Sequence, residues 1–548
     1  MIDNQTKSDK IIADYGHKKI QKDDSSSEYD ESGKQHMKKI KGTLILLVLL
    51  TVLAVTVNAS ASDAEGIFQP DDLPVIYLEI SGGQAEIDRM NSSPDHSYRC
   101  TGTMSVIMPS GYTGIQENIR NLPIDYIRGR GNGTWNMSKN PYKIKLEEKT
   151  DLFGMGKSKT WVLLANYFDS SLIRNHLAAW LGESVGLEYT PQGVFTEVVM
   201  NGDYLGNYYL CEQIQVNKNR VAIDELKEED TSTPEIQGGY LMEFCPDDYD
   251  SPSYFETSRG LMLGNINPSF DPDEDDFVSD EQKEYIRGYI QKAEDAIYAD
   301  GTEYTEYLDL QSLADYWWIM EFTMNEDAFR TDSAHMFKPR FEADGSEGKL
   351  HFGPLWDFDA SMGNGQYETA TEKGFNNTTF IWVDELRKKP EFIEVLRERW
   401  QVLNEKLERM VSEGGMLDRT AAEIRNSWYR DDAKWHASKE ECGITVLRNI
   451  GDETEHIRNW INLRRQWISE NLDKLDVLTY TVTFRTEGGE DLVYNVPSFI
   501  GLDPYEYTMD ELTGEGKQIT GWALEDGTVT EYFTVERDTV LTAVYDEL

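Results

Sequence analysis

Basic residues and cysteines are scarce in this chain of 548 residues. Its 53 lysines and arginines stand against 99 aspartates and glutamates, which gives a formal net charge of -46. A charge of that sign repels a phosphate backbone, so nucleic acid is excluded as an expected partner. The four cysteines, Cys100, Cys211, Cys245 and Cys442, do not have the spacing of a metal site. Cys211 and Cys245 lie on two strand-like segments and a pairing between them stays open, but spacing does not determine a disulfide, and we expect a free buried thiol at each position.

Long apolar runs are also rare, and one uncharged run at 43–57 lies near the start of the chain. It follows a lysine-rich segment, which predicts a cytoplasmic N-terminus by the positive-inside rule. We therefore expect residues 1–42 to form a disordered basic cytoplasmic tail and the rest of the chain to be exported. Two interpretations of residues 43–61 remain open: a signal peptide cleaved near the small residues 59–61, or a membrane anchor that just spans a thin bilayer.

The spacing of apolar residues predicts an α+β fold, with a β-rich half before a helical half. The length exceeds the usual size of one hydrophobic core, so we expect several domains. After a linker at 62–74, alternation of period two predicts strands at 75–80, 104–108, 126–128, 142–146, 161–165, 195–200, 208–211 and 239–244, in a mostly antiparallel sheet. One helix interrupts these strands at 172–185; Asp169 caps it and Gly186 ends it.

The second half changes to helical periodicity. Apolar residues at helical spacing predict helices at 281–299, 313–324, 390–410 and 453–472. Ser279 and Gln282 form a capping box before the first of these helices. From Thr479 the pattern returns to alternating β residues, and we expect a small separate β domain over 479–548.

A glycine-rich turn at 128–135 contains Arg128 and Arg130. Alternate glycines let backbone amides approach an anion closely, and the two arginines add charged donors, so phosphate is a ligand that suits the segment. The segment has neither the Walker pattern nor the dinucleotide fingerprint. A tight turn between strands, without a ligand, is the alternative interpretation.

Lys143 and Lys145 follow on a predicted strand, and alternation places both on one face, opposite its apolar residues. A glycine-rich turn followed by a strand lysine is the order in which protein kinases contact nucleotide phosphates. Glu183 and Glu212 are the two carboxylates that would orient such a lysine, and the sequence does not choose between them. Two solvated lysines are the alternative.

Two acidic segments follow in the helical half. Asp357 and Asp359 stand one residue apart after a short apolar run, and a strand that ends there would point both carboxylates to one side, as a hard cation such as Mg²⁺ requires. Upstream, Asp327 and Asp332 have the five-residue spacing of the catalytic aspartate and the metal-binding asparagine in kinases, with a carboxylate in place of the carboxamide. A capped helix end is the alternative for the upstream segment, and a glycosidase using Asp327 with Asp357 or Asp359 is an alternative chemistry.

Together these segments resemble the CotH family of atypical protein kinases, named for a bacterial spore-coat protein. Blocks that match the family's pattern lie in order at 127–132, 141–146, 171–175, 206–212, 238–243, 325–327 and 353–359, within residues 75–475. The resemblance implies a distorted two-lobed protein kinase fold, with a β-rich N-lobe and a helical C-lobe. It also implies binding of ATP and Mg²⁺ or Mn²⁺, and transfer of phosphate to Ser or Thr of a protein substrate.

The same resemblance implies roles for individual residues. Asp327 would be the catalytic aspartate, and Asp357 would be the chief metal ligand, with Asp359 beside it. Lys143, or else Lys145, would hold the α- and β-phosphates of the nucleotide. From their charge, the two arginines of the glycine-rich turn would contact phosphates as well.

The resemblance leaves a second function open. Relatives on cell surfaces are described as adhesive or as parts of carbohydrate-degrading assemblies, so a surface-binding protein with a kinase-like scaffold is the alternative to a kinase. The segments 484–489 and 521–522 resemble the Listeria–Bacteroides repeat of internalin-B-type surface proteins, whose modules are spacers or adhesive units. We therefore expect a location outside the cytoplasm, at a bacterial cell surface, with contacts to polysaccharide as a possible addition to the protein substrate.

Overall fold

The alternating segments of the first half form a closed seven-stranded barrel in the computed structural model of the protein. The structure describes residues 72–112, 114–244, 253–267, 278–325, 333–364, 372–375, 380–487, 491–499, 501–505 and 517–547. The chain divides into two units, Met1–Ile67 and Phe68–Leu548, and all described residues belong to the second. The predicted tail at 1–42, the apolar run at 43–61 and most of the linker at 62–74 lie outside the described residues. Within the described ranges, no helix is both long and apolar enough to cross a membrane.

The barrel strands are β1 Val75–Ile80, β2 Cys100–Ile107, β3 Ile119–Gly129, β4 Tyr142–Asp151, β5 Lys157–Leu164, β6 Gly193–Met200 and β7 Asp203–Glu212. Their order around the barrel is β1-β2-β3-β4-β5-β7-β6. Every pair is antiparallel except β1 with β6, which run parallel and close the barrel. Alternate side chains such as Ile127, Ile144 and Leu163 fill its interior. The predicted strands are confirmed. The closure of the barrel was not predicted, because alternation within a strand does not show which strands pair with one another.

Two helices accompany the barrel. Helix α1, Gln84–Asn91, follows β1, and helix α2, Arg174–Val185, lies between β5 and β6. Gly186 ends α2 in the left-handed conformation, as predicted, at a φ of 90°. Asp169 accepts hydrogen bonds from the backbone N–H groups of Ser171 and Arg174, so it organises the turn before α2 rather than the helix start predicted at 172.

A second sheet joins three strands that follow the barrel in the chain to two strands from the helical half. It contains β8 Tyr240–Phe244, β9 Phe255–Glu256, β10 Met262–Gly264, β11 His335–Lys338 and β12 His351–Phe352, in the order β12-β11-β8-β10-β9. Strands β11 and β12 come from the half of the chain predicted as helical. All four residues of β11 are buried, so this short strand has no alternating pattern by which the sequence would reveal it.

Among the described residues of the helical half there are six further helices: α3 Asp280–Tyr298, α4 Leu310–Thr323, α5 Ile381–Leu386, α6 Pro390–Val411, α7 Met416–Glu441 and α8 Ile450–Glu470. The capping box of Ser279 and Gln282 at the start of α3 is confirmed. Helix α7 was not predicted, although it has 26 residues. Its buried face carries polar residues, among them Thr420, Ser427 and Asp431, and they interrupt the apolar periodicity on which the prediction depends.

The final strands have a small core of their own around Trp522 and Phe484. They are β13 Thr479–Arg485, β14 Leu492–Pro497, β15 Gly501–Leu502, β16 Lys517–Ala523, β17 Val529–Thr530, β18 Phe533–Thr534 and β19 Thr539–Glu547. Five form a sheet in the order β14-β13-β19-β16-β17, and β15 pairs with β18. Phe499 packs edge-on against Trp467 of α8, with ring centroids 5.0 Å apart, so this region contacts the helices.

The cysteines differ from the prediction at one position. Cys100 and Cys211 are free and buried, as expected, whereas Cys442 is free and exposed. Cys442 is the residue that follows the last turn of α7, at the surface, which is why it does not join the core. Cys245 lies outside the described residues.

Candidate active site

Asp357 and Asp359 lie in an irregular segment after β12, and their carboxyl groups share a hydrogen bond. Strand β12 ends at Phe352, so the two residues do not lie on a strand. Asp357 instead adopts the left-handed conformation, with φ at 60°, which aspartate tolerates better than most side chains. The prediction that the two carboxyls meet agrees with the structure, but strand alternation was the wrong reason for it.

Arg130 is the cation beside this acidic pair. Its guanidinium lies 5.2 Å from the ring centroid of Trp356, the residue before Asp357. Burial raises the pKa of Asp357, and the positive charge of Arg130 opposes that rise. Burial also lowers the pKa of Arg130, against the attraction of Cys211 and Asp357. Asp359 is buried and Asp357 and Arg130 are half-buried, so their charges interact more strongly than they would in bulk water.

The backbone around Asp357 is held by side chains from three other parts of the chain. Asn325 Nδ2 donates to the Asp357 carbonyl at 2.8 Å, and the Phe358 N–H donates to Asn175 Oδ1 at 2.7 Å. Asn364 Nδ2 donates to the Asp359 carbonyl at 2.6 Å. The loop that carries the two carboxylates is thus held at the peptide that follows each of them.

Arg174 secures the residues just after the pair. Its guanidinium donates to the carbonyls of Ser361 at 2.9 Å and Met362 at 3.3 Å, and it forms a buried ion pair with Asp169 at 2.5 Å. No pattern in the sequence predicted a role for Arg174, Asn175 or Asn364. The first two stand in the matched block at 171–175, which was the one available signal.

Lys143 lies on the outer face of the barrel. On β4, the side chains of Tyr142, Ile144 and Leu146 are in the barrel core, so the predicted alternation is confirmed. Lys143 is only 2% exposed and stands opposite Arg128 on β3 and Val162 on β5.

The row that contains Lys143 faces the helical half. Val162 pairs with Cys211 on β7, and both belong to the core that the helices share. Cys211, Asn175 and Asp357 line one small cavity. The barrel face that carries Lys143 and Arg128 is therefore turned towards the helical half, and Cys211, in the same cross-strand row, lines the cavity beside Asp357.

Lys145 and Glu212 have other partners. The Lys145 ammonium lies 5.6 Å from the ring centroid of Tyr126. Glu212 pairs with Arg220 at 2.6 Å and accepts the Gln192 N–H at 2.9 Å, so both of its oxygens are engaged. Burial raises the pKa of Glu212, and Arg220 opposes that rise. Glu212 and the exposed Glu183 line a separate cleft of about 460 Å³.

With this geometry in place, comparison with known families assigns the chain. A family model described as CotH kinase protein matches residues 127–468, more than half of the chain. The chain belongs to the CotH kinase family. The matched range begins in β3 and ends in α8, so it includes the glycine-rich turn, Lys143 and the acidic pair. Membership indicates a protein-kinase-like function for the CotH domain. No curated protein matches the chain.

The match leaves some predictions untested. It does not reach the strands after Thr479, so their resemblance to a surface-protein repeat stays a prediction. Asp327 and Asp332 lie outside the described residues of the CotH domain. In the part of the chain that is described, no group of three or more His, Cys, Asp or Glu side chains is arranged to hold a metal ion.

Proposed function

We propose that the chain is a protein kinase that transfers the γ-phosphate of ATP to a Ser or Thr hydroxyl of a protein substrate. The observation that supports this most directly is the pair of carboxyl groups of Asp357 and Asp359 beside Arg130, together with a lysine, Lys143, that is buried on the barrel face turned towards the helical half. Oxygen ligands beside phosphate-binding cations are what phosphoryl transfer requires, since its catalysis is mostly positioning and electrostatic stabilisation. We infer a two-lobed arrangement, with the barrel as the N-lobe and the helices as the C-lobe.

The residues fit a divalent metal. Two carboxyl groups that share a hydrogen bond, one buried and one half-buried, would bind a cation in place of the shared proton. Asp357 would be the chief ligand for Mg²⁺ or Mn²⁺, Asp359 the supporting one, and Asp332 a further candidate. When bound, the metal would neutralise charge on the phosphate oxygens.

The other residues bind phosphate or move a proton. Lys143 and Arg128 would donate to phosphate oxygens from one cross-strand row, where burial strengthens each interaction. Arg130 would do so from the end of the glycine-rich turn. Asp327 would accept the proton of the substrate hydroxyl as the hydroxyl oxygen forms its bond to the γ-phosphorus, while the bond from that phosphorus to the β–γ bridging oxygen breaks and ADP leaves. Lys145 is the alternative to Lys143, and the contact of its ammonium with Tyr126 makes it the weaker candidate.

We also propose that the protein acts outside the cytoplasm, either anchored in the membrane or secreted. The lysines before the uncharged run at 43–57 support this proposal. Its acceptor would then be a protein at the cell surface. Cell fractionation with antibody detection tests the location independently of any activity; recovery in the cytoplasmic fraction alone would contradict it.

A transfer assay tests the kinase proposal. The full chain is incubated with radiolabelled ATP, Mg²⁺ or Mn²⁺ and Ser- or Thr-containing proteins, and phosphoserine or phosphothreonine is identified after acid hydrolysis. Asp357→Asn, which tolerates the same backbone conformation, should abolish the label. Asp300→Asn changes an exposed carboxylate after α3 and is the matched control. Two negative results together would refute the proposal: the wild-type chain labels no protein, and ATP with the metal ion does not raise its thermal stability.

A further inference from the structure

A single peptide unit of the candidate site is held from both sides by side-chain carboxamides. This unit joins Asp357 to Phe358. Its C=O accepts from Asn325 Nδ2 at 2.8 Å, and its N–H donates to Asn175 Oδ1 at 2.7 Å. Asn325 follows α4 and is completely buried, whereas Asn175 lies in the first turn of α2. The two asparagines are far apart in the chain and meet on one peptide plane.

The orientation of each carboxamide follows from the chemistry of that peptide. A backbone C=O only accepts, so Asn325 must present its NH₂ group, and a backbone N–H only donates, so Asn175 must present its oxygen. The second group of Asn175 is also engaged, because its Nδ2 donates to Asn166 Oδ1 at 3.0 Å. Asn166 in turn donates to the Leu172 carbonyl at 3.0 Å. This relay fixes Asn175 against the turn that precedes α2.

The peptide needs such support because Asp357 is in the left-handed region, with φ at 60°. A residue with a Cβ is strained there and persists when its surroundings determine the backbone. Rotation of the Asp357–Phe358 peptide would turn the backbone at Asp357 and redirect its carboxylate. The two hydrogen bonds oppose that rotation, one at each end of the peptide.

We propose that Asn175 and Asn325 are positioning residues that clamp the Asp357–Phe358 peptide and thereby aim the Asp357 carboxylate at a divalent metal. The inference rests on the proposed function, which makes Asp357 the chief ligand. Asn325 also stands two residues before Asp327, so the clamp joins the segment of the expected catalytic aspartate to the metal ligand. Neither asparagine touches substrate or metal in this scheme.

The substitution of Asn by Asp has opposite consequences at the two positions. Asn175→Asp keeps an oxygen for the Phe358 N–H but loses the Nδ2 donor to Asn166 Oδ1, so it is compared with Asn166→Ala, which breaks the same bond and keeps the Asn175 acceptor. Asn325→Asp replaces the donor with an oxygen that faces the Asp357 carbonyl. Both changes add a negative charge near the site, which by itself favours a cation. A loss of metal binding in Asn325→Asp alone would therefore report geometry rather than charge.

The measurement is binding of Mn²⁺ to the full chain with a non-hydrolysable ATP analogue, followed by electron paramagnetic resonance. We expect wild-type or higher affinity for Asn175→Asp and a loss of about tenfold or more for Asn325→Asp, the size seen when groups behind a metal ligand are changed. Asn175→Leu, which has no acceptor, should show the same loss. Asn325→Ala leaves no opposing oxygen and serves if the aspartate variant fails to fold.

Asn201 provides the matched control. Its carboxamide also holds main chain from both sides, accepting from the Ile80 N–H at 2.6 Å and donating to the Ile80 carbonyl at 3.3 Å. It lies in the turn that precedes β7, whereas Cys211 near the acidic pair is at the other end of that strand. Asn201→Ala should lower thermal stability and leave the Mn²⁺ affinity unchanged.

The outcomes separate the two proposals. A wild-type chain that binds no Mn²⁺ with the nucleotide analogue would overturn the proposed function. If the wild type binds, then unchanged affinity in Asn325→Asp and Asn325→Ala would overturn the clamp while leaving the kinase proposal in place. Equal losses in Asn175→Asp and Asn325→Asp, with unchanged affinity in Asn166→Ala, would also overturn it, because the clamp requires an acceptor at one position and a donor at the other.

Discussion

The ammonium group of Lys139 lies 2.6 Å from Oδ1 of Asp431, and both side chains are buried. Lys139 follows the glycine-rich turn and Asp431 lies on α7, so this ion pair joins the turn to a helix from the far end of the CotH domain. Asp431 also accepts the Asn207 N–H at 3.0 Å. Gly206, at a φ of 110°, permits that approach, because a Cβ there would lie 2.3 Å from the carboxylate.

Loss of Lys139 should destabilise the protein. In Lys139→Met the Asp431 carboxylate stays buried, and the cation left near it is Lys439, at 3.7 Å. The substitution should therefore reduce the free energy of unfolding by about 3 kcal/mol. Urea unfolding measures this change. The control is Lys434→Met, because Lys434 pairs with the exposed Asp203 and should contribute less than about 1 kcal/mol. Equal losses in both variants would contradict a structural role for the buried pair.

The two lysines of β4 should differ in activity. Lys143 lies in the buried row with Arg128, so Lys143→Met should reduce phosphate transfer about a hundredfold, as expected for loss of a charged group that stabilises the transition state. Lys145→Met should retain most activity because its ammonium lies against Tyr126. Initial rates over a range of ATP concentrations distinguish them. The reverse order of effects would assign the phosphate contact to Lys145.

Arg174 should support both stability and metal binding. Arg174→Lys keeps a charge near Asp169 but lacks the planar fork that reaches the carbonyls of Ser361 and Met362. Leaving such buried acceptors unpaired should cost about 1–3 kcal/mol, and Mn²⁺ affinity should fall as well. Calorimetry and metal titration measure the two effects. Arg287→Lys, at an exposed position on α3, is the control, and a variant at Arg174 that behaves like it would be evidence against this role.

His335 should make stability depend on pH. It is buried, its Nε2 lies 3.6 Å from Glu243 Oε1, and its backbone N–H donates to the Tyr316 hydroxyl. Burial lowers the pKa of His335 to about 4. The unfolded chain takes up this proton near its usual value of about 6.5. Stability from this group is therefore complete above about pH 6.5 and is lost as the pH falls towards 4.

A comparison of variants isolates that contribution. Between pH 7 and 4, the wild type should lose about 3 kcal/mol more unfolding free energy than His335→Gln. Chemical unfolding at several pH values measures the difference. His436→Gln is the control, since His436 is exposed and Asp432 raises its pKa, so its small contribution has the opposite direction with pH. Parallel pH profiles for wild type and His335→Gln would show that His335 does not titrate in this way.

The predictable part of the fold is the part with a local signal. Strands β1 to β8 and helices α2, α3, α4, α6 and α8 coincide with predicted segments, because in each of them the apolar residues alternate, recur at helical spacing or form a continuous run. Helix α7 did not, since Asp431 and other polar residues on its buried face are satisfied by distant partners such as Lys139. The wrong prediction for Cys442 has a related cause, because burial of a single residue depends on its neighbours in space.

The acidic site shows the same division. The order of the glycine-rich turn, Lys143 and Asp357 indicated kinase-like chemistry, and the family match agrees with it. The conformation of Asp357 was not predictable, because the group that holds the Phe358 N–H belongs to a residue 183 positions away in the chain. The roles of Asp327 and Asp332 stay predictions.

The sequence by itself determined the α+β class, most element positions and the family, because periodicity and motif order are properties of neighbouring residues. Only the tertiary structure decided that β1 and β6 close the barrel, that Lys143 is buried on its outer face, and that Asn175 and Asn325 meet at Asp357. Each of these depends on contacts between residues far apart in the chain. Such contacts depend on which distant groups satisfy each buried polar atom, and the spacing of residues along the sequence does not contain that information.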